Sequence, residues 1–138
     1  MKENVVYYLK NPTLSQSYFI VTKIFQNNNC TLVPIERTQL LEVFKSAPTC
    51  TMVTSTTDLR SWNYFVKKTN RLLRTALRHR KIKLIHFTSF PIHHYYEGLQ
   101  NTKQYLTLQL PIERKEAEVK ISHFLNNTKE SRRVQFNY

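Results

Sequence analysis

Basic side chains recur at helical spacing in the middle of this chain. The segment from Arg60 to Lys81 is predicted to form one long helix, and no Asp or Glu occurs between Asp58 and Glu97. At about 100° per residue, one narrow stripe of that helix collects Arg60, Lys67, Arg71, Arg74, Arg78 and Lys81. Cations in such a row suit phosphate groups, which they bind without reading base sequence. We therefore expect an anion-binding ridge about 30 Å long, and a solvated basic face is the alternative that the sequence leaves open.

The charge of the whole chain favours an anionic partner but does not identify its chemical class. The 138 residues carry a formal net charge of +12, which exceeds what solubility requires of a domain this size. Nucleic acid, acidic lipid headgroups and an acidic protein all fit such a surface.

Composition excludes several kinds of chemistry. Gly98 is the only glycine, so the usual glycine-rich loops that cradle nucleotide phosphates are excluded. We expect no enzyme, because no Gly-x-Ser-x-Gly elbow or Cys/His signature occurs. Cys30 and Cys50 each begin a separate apolar run, which favours buried thiols over a disulfide. The pair His93 and His94 has no second ligand pair at useful spacing, so neither a metal ion nor another cofactor is expected.

The sequence gives no sign of membrane insertion. No apolar run approaches the roughly 20 residues that a membrane-spanning helix needs. The first residues lack the apolar core of a secretory signal, so we expect a cytoplasmic protein.

Short apolar runs alternate with amphipathic segments along the chain. Strands are predicted at 5–9, 30–35, 50–54, 82–87 and 104–110, and helices at 14–27, 36–46, 60–81, 91–98 and 113–126. The residues 55–59 are predicted to be a polar connection. This alternation predicts a flavodoxin-like α/β three-layer sandwich, with five parallel strands in the order 2-1-3-4-5 and helices on both faces. One domain is expected over residues 1–128, followed by a basic C-terminal tail at 129–138.

In this arrangement the chain resembles the receiver domain of bacterial two-component response regulators. Strand five of that family ends with a lysine, a proline and an apolar residue before a carboxylate-rich helix, and here Leu110-Pro111-Ile112-Glu113 keeps everything but the lysine. The family's strand four ends in threonine or serine, and Thr88 stands at that place. The resemblance covers about residues 4–126 and is one of pattern and spacing.

The residues that give a receiver its chemistry are missing from this sequence. Leu9 and Lys10 match the two acidic positions that hold magnesium, and Thr54 matches the phosphate-accepting aspartate. Leu110 replaces the lysine that pairs with the phosphate. Phosphoryl transfer to a carboxylate needs the nucleophilic oxygen, the divalent cation and the stabilising lysine. The resemblance therefore implies a pseudo-receiver whose vestigial pocket consists of Leu9, Lys10, Thr54, Thr88 and Leu110.

The expected function follows from that degenerate site. We expect a phosphorylation-independent module that binds a protein partner, or a second copy of itself, in bacterial signalling or transcription control. Tyr95, Tyr96 and Tyr105 fall on the side that many receivers use for dimers or outputs, and inward packing is their alternative. The runner-up is a regulator that binds nucleic acid through the basic helix.

Overall fold

A parallel sheet forms the centre of the protein. The computed structural model describes residues 4–12, 17–46, 49–79, 82–90 and 104–137, of which 4, 17 and 127–137 are described by their backbone alone. The strands are β1 (Asn4–Leu9), β2 (Cys30–Ile35), β3 (Cys50–Thr56), β4 (Ile82–Thr88) and β5 (Tyr105–Gln109). All pairings are parallel and the order is β2-β1-β3-β4-β5, which confirms the predicted flavodoxin-like α/β arrangement.

Helices cover both faces of this sheet. The chain forms α1 (Ser17–Gln26), a 3₁₀ turn (Arg37–Gln39), α2 (Leu40–Ser46), α3 (Leu59–Tyr64), a π-helical segment (Phe65–Thr69), α4 (Asn70–Arg78) and α5 (Arg114–Asn137). Helices α1 and α5 pack on one face, where Val53, Ile85 and Leu108 contribute from the sheet. Helices α2 and α4 pack on the other face with the π-helical segment, against Met52 and Leu84. Both faces of the sheet are thus covered, and most side chains of the central strands β3 and β4 are buried.

Among the boundaries that differ from the sequence prediction are the ends of β3 and α5. Strand β3 continues to Thr56, two residues past its predicted end, because the hydroxyl side chains of Ser55 and Thr56 are buried and hydrogen-bonded. Helix α5 continues to Asn137, past the predicted end at Asn126, and so enters the stretch expected to be a basic tail. The helix predicted at 91–98 lies outside the described residues.

The long basic helix is interrupted by its π-helical segment. We call residues 59–78, which comprise α3, this segment and α4, the interrupted helix. Its inward face is marked at every fourth position by Ser61, Phe65, Thr69, Leu73 and Leu77. In a regular α-helix such residues would drift by about 40° per step, or about 160° in all, and would leave the core. The wider π turn corrects this drift and keeps one face of the interrupted helix on the sheet.

That correction also buries polar groups. The Thr69 hydroxyl oxygen and the Asn70 Oδ1 are buried and accept no hydrogen bond from the described residues. At the other end, α3 begins with a capping box in which Asp58 Oδ1 accepts a bond from the Ser61 amide at 2.7 Å.

Candidate anion-binding face and strand-end cluster

The pocket predicted from the receiver resemblance lies where the carboxyl ends of the strands meet. Leu9, the last residue of β1, is fully buried in the core on the α4 side of the sheet. Lys10 follows as a half-exposed residue whose amide donates to the Ile35 carbonyl at 3.0 Å. Beyond β5, the half-buried Leu110 donates its amide to the Thr88 carbonyl at 2.8 Å and packs against the core on the α1 and α5 side. Leucines therefore stand at two of the positions that the predicted resemblance matches to charged residues of a working receiver.

The placement of the threonines corrects one prediction. Thr54 does not end β3; it lies opposite His86 in the sheet, and Thr56 lies opposite Thr88. The Thr56 hydroxyl donates to the Thr88 hydroxyl at 2.6 Å, so Thr56 is the strand-end partner of Thr88. Thr54 Oγ1 is buried and has no hydrogen-bond partner among the described residues.

A histidine that the sequence left without a role joins these threonines. His86 is fully buried, its Nε2 lies 3.0 Å from Thr56 Oγ1, and its ring meets Phe65 edge-on at 4.8 Å. Burial lowers the pKa of His86 to about 3, so the ring is neutral at physiological pH. We call Thr54, Thr56, His86 and Thr88 the strand-end cluster.

The hydrogen bonds of this cluster fix the tautomer of its histidine. Thr88 donates its single hydroxyl proton to the Phe90 carbonyl at 2.8 Å, so Thr56 must be the donor in the bond between the two threonines. Thr56 has then used its own proton, and it can only accept from His86. The proton of His86 is therefore on Nε2, and Nδ1 is an acceptor without a partner among the described residues.

Three further hydrogen bonds connect the end of β1 with β3 and α3. The buried Asn11 side chain donates from Nδ2 to the carbonyls of Ser55 at 2.9 Å and Ser61 at 3.0 Å. The hydroxyls of Tyr8 and Ser55 are hydrogen-bonded at 3.0 Å. The place where an open α/β sheet commonly binds ligands is thus occupied by the protein's own neutral side chains.

These residues do not fit magnesium. Mg²⁺ requires oxygen ligands that include carboxylates, whereas the positions at the ends of β1 and β3 are Leu9, Lys10 and Thr56. The nearby carboxylate of Asp58 already caps α3. Within the described residues, no group of three or more His, Cys, Asp or Glu side chains could hold a metal ion.

The basic side chains predicted to form the ridge differ in their exposure to solvent. Arg60, Lys67, Arg71 and Arg78 are exposed, Arg74 is half-buried, and Lys81 lies outside the described residues. Five side chains of α4 line an open groove, which we call the arginine groove: Asn70, Arg71, Arg74, Thr75 and Arg78.

The guanidinium groups of this groove have no anionic partner in the described part of the chain. The ion pair found there joins Lys120 to Glu116 on α5 at 3.1 Å, on the other face of the sheet. The Thr75 hydroxyl donates to the Arg71 carbonyl at 3.0 Å, so it lies along the helix backbone. The groove therefore presents hydrogen-bond donors and positive charge together, which is the chemistry that phosphate oxygens require.

Of the three predicted interface tyrosines, only Tyr105 lies among the described residues. Tyr95 and Tyr96 lie outside the described residues. Tyr105 is 6% exposed and belongs to the core on the α4 side, where burial raises the pKa of its hydroxyl well above the ordinary value. So little of this ring reaches the surface that it offers almost no area to a partner.

The cysteines match the expectation of free thiols. Cys30 is buried and Cys50 is half-buried, and neither forms a disulfide. Burial raises the pKa of Cys50 to about 11 and also raises that of Cys30.

Comparison with known proteins does not identify a family. No protein-family model matches this chain, and no curated protein matches it either. Among the described residues, no helix is long and apolar enough to cross a membrane. The fold is thus established as flavodoxin-like, and the closer likeness to a receiver domain stays a prediction.

Proposed function

We propose that this protein is a pseudo-receiver, a phosphorylation-independent module that regulates bacterial signalling or transcription by binding a protein partner. The observation that carries the proposal is the strand-end cluster. Neutral hydroxyl and imidazole groups, bonded to one another, occupy the place where a receiver needs carboxylates. A site of this kind is compatible with the fold, and it has no carboxylate that could accept a phosphoryl group from a small-molecule donor.

Partner capture under phosphorylating and non-phosphorylating conditions tests the proposal. The tagged protein is used to purify partners from its native cell, with or without acetyl phosphate and Mg²⁺, and with or without nuclease. We expect the same protein partner in equal amount in all four samples. A partner whose recovery changes at least severalfold with acetyl phosphate would contradict phosphorylation independence, and recovery of no protein would remove the adaptor role.

A second candidate function is nucleic-acid binding through α4. Its specific support is the arginine groove. Three guanidinium groups, which have no anionic partner among the described residues, line this open surface together with Asn70 and Thr75. Arginine binds phosphate with paired donors, and a row of such contacts gives affinity that falls steeply with salt.

Charge reversal on the two faces of the sheet separates this function from a general effect of net charge. The triple variant Arg71→Glu, Arg74→Glu, Arg78→Glu should abolish binding to labelled nucleic acid. The matched control reverses three exposed cations of α1 and α5, namely Lys23, Arg114 and Lys115, and so changes the net charge equally on the other face. We expect the control to retain binding. The slope of the logarithm of its binding constant against the logarithm of salt concentration should stay near that of the natural protein, because only a lost phosphate contact reduces this slope, by about 0.7 to 0.9 each. Equal loss in both triple variants would overturn the assignment to α4.

A further inference from the structure

Asn70 lies on the same flank of the interrupted helix as two of the groove's arginines. Every fourth residue from Ser61 to Leu77 faces the core, so the residues that follow each of them form a parallel row about 100° around the helix axis. This row consists of Trp62, Val66, Asn70, Arg74 and Arg78. Arg71 and Thr75 lie beside the row on its solvent side and complete the arginine groove. The position of Asn70 among the cations therefore follows from the face that the helix buries.

The Asn70 side chain is a buried polar group in an otherwise cationic groove. It is 8% exposed, and its Oδ1 accepts no hydrogen bond from the described residues. The guanidinium groups of Arg71, Arg74 and Arg78 carry donors only, so they suit an anion, whereas Oδ1 requires a donor. A ligand that satisfies the whole groove therefore carries phosphate oxygens and a hydrogen-bond donor close together.

We propose that the arginine groove binds RNA in preference to DNA, with the phosphates held by its three arginines and a ribose 2′-hydroxyl donating to Asn70 Oδ1. This inference rests on the second candidate function and specifies its ligand. Every nucleotide of RNA carries this hydroxyl beside its phosphate, whereas the sugar and phosphate of DNA offer no hydrogen-bond donor along the strand. The groove is about 12 Å long from Asn70 to Arg78, and successive phosphates of one strand in a duplex advance by about 3.4 Å. Several nucleotides therefore fit along it.

Movement of one arginine opens the way to the amide. Side chains of a helix lean toward its N-terminus, so the half-buried Arg74 is directed over the turn that contains Asn70. When this guanidinium turns outward to a phosphate, the amide beneath it becomes accessible to the adjoining ribose. Rotation of the amide by half a turn exchanges Oδ1 and Nδ2 within the same volume, so the oxygen can face the ligand. Phosphate binding and recognition of the ribose are thereby coupled in one groove.

Binding is measured by fluorescence anisotropy with three labelled 12-nucleotide strands in the same salt: oligo(U), oligo(dU) and 2′-fluoro oligo(U). The 2′-fluoro strand keeps the sugar shape of RNA but cannot donate a hydrogen bond from that position. The natural protein should bind oligo(U) about 2- to 12-fold more tightly than either of the other strands, the range for one net hydrogen bond. Unlabelled UMP has the same ribose but a single phosphate, so it should not displace oligo(U) at an equal concentration of nucleotides.

Asn70→Leu removes the amide and places an apolar side chain at a nearly buried position, so the fold is preserved. This variant should bind oligo(U) only as tightly as it binds oligo(dU), and its affinity for oligo(dU) should equal that of the natural protein. The matched control, Asn126→Leu, replaces an exposed asparagine of α5 on the other face of the sheet. We expect the control to keep the preference for oligo(U).

The outcomes separate this inference from the function on which it rests. If the natural protein binds the three strands equally, or if Asn70→Leu keeps the preference for oligo(U), the inference is wrong while nucleic-acid binding through α4 stands. Displacement by UMP at an equal nucleotide concentration would also overturn it, because the groove would then hold a single ribonucleotide. Should Asn70→Leu fail to fold, the comparison of the three strands on the natural protein decides alone. If the natural protein binds none of the strands, the second candidate function itself is refuted.

Discussion

Two threonines on one strand should respond oppositely to the same substitution. Thr54 and Thr56 are both fully buried on the α4 side of β3, and valine has nearly the shape of threonine. Thr56 accepts from His86 and donates to Thr88, whereas Thr54 Oγ1 has no partner among the described residues. The pair therefore isolates the contribution of a satisfied hydroxyl from that of an unsatisfied one.

The expected magnitudes follow from which groups each change leaves unpaired. Thr56→Val leaves the Nε2 proton of His86 buried without an acceptor, which costs about 1–3 kcal/mol. Thr88 loses one bond and keeps two to Phe90, the amide donating at 2.9 Å and the carbonyl accepting at 2.8 Å, so its own loss is small. Thr54→Val removes a buried hydroxyl that has no hydrogen-bond partner in the described part of the chain, so we expect the free energy of unfolding to stay unchanged or rise by about 1 kcal/mol.

Urea denaturation followed by circular dichroism measures both variants against the natural protein. The free energy of unfolding falls by about 2 kcal/mol per molar urea. Thr56→Val should therefore lower the urea concentration at the unfolding midpoint by about 1 M, and Thr54→Val should leave this midpoint unchanged or raise it. Equal destabilisation by the two substitutions would refute the hydrogen-bond assignment of the strand-end cluster. Greater damage from Thr54→Val would also contradict this assignment, because it would show that Thr54 carries the hydrogen-bonded hydroxyl.

Two further predictions concern titratable groups. In the unfolded chain His86 takes up a proton below its ordinary pKa of 6.5, whereas in the folded protein its pKa is about 3. The free energy of unfolding should therefore fall as the pH drops from 6.5 toward 3, by about 3 kcal/mol at pH 4.5. His86→Leu, which leaves the bond from Thr56 to Thr88 in place, should flatten this part of the urea-measured stability profile, and an unchanged profile would contradict the neutral buried histidine. Because burial raises the pKa of Cys50 to about 11, its thiol should react with a thiol-disulfide reagent at pH 8 on the order of tenfold or more slower in the folded protein than in urea. Equal rates in folded and unfolded protein would show that Cys50 is accessible and ionises normally.

The strand order could be predicted from the sequence because it depends on simple patterns. The run from Val5 to Leu9 is wholly apolar, and the run from Ile82 to Phe87 is apolar except at Lys83 and His86. Each run has the length of a strand and precedes a segment predicted to be a helix. An alternation of this kind requires parallel strands joined by crossovers, and the structure has that arrangement.

The ends of the helices and strands were harder to predict from the sequence. The polar stretch at 55–59 resembled a connection, yet Ser55 and Thr56 belong to β3, because buried hydroxyls that find partners are compatible with a strand. Those partners are Tyr8, His86 and Thr88, which lie far away in sequence, and no local pattern identifies them. The alternation of Ile82, Leu84 and His86 on one face of β4 was a usable signal that this histidine is buried.

The basic surface was predicted in outline and missed in detail. A regular helix placed the cations on one straight stripe, and most of them are indeed exposed. The π-helical segment could not be predicted from the sequence. The four-residue spacing of Phe65, Leu73 and Leu77 indicates a π turn only when these residues are known to face the same sheet.

Incorporation of phosphate tests the central claim most directly. The protein is incubated with radiolabelled acetyl phosphate and Mg²⁺ beside a phosphorylatable receiver domain, and covalent label is counted after gel separation. Because Leu9, Lys10 and Thr56 stand where a metal-binding pocket and an acceptor carboxylate are needed, we expect label in the receiver and none above background in this protein. Stoichiometric, Mg²⁺-dependent labelling of this protein would contradict the account.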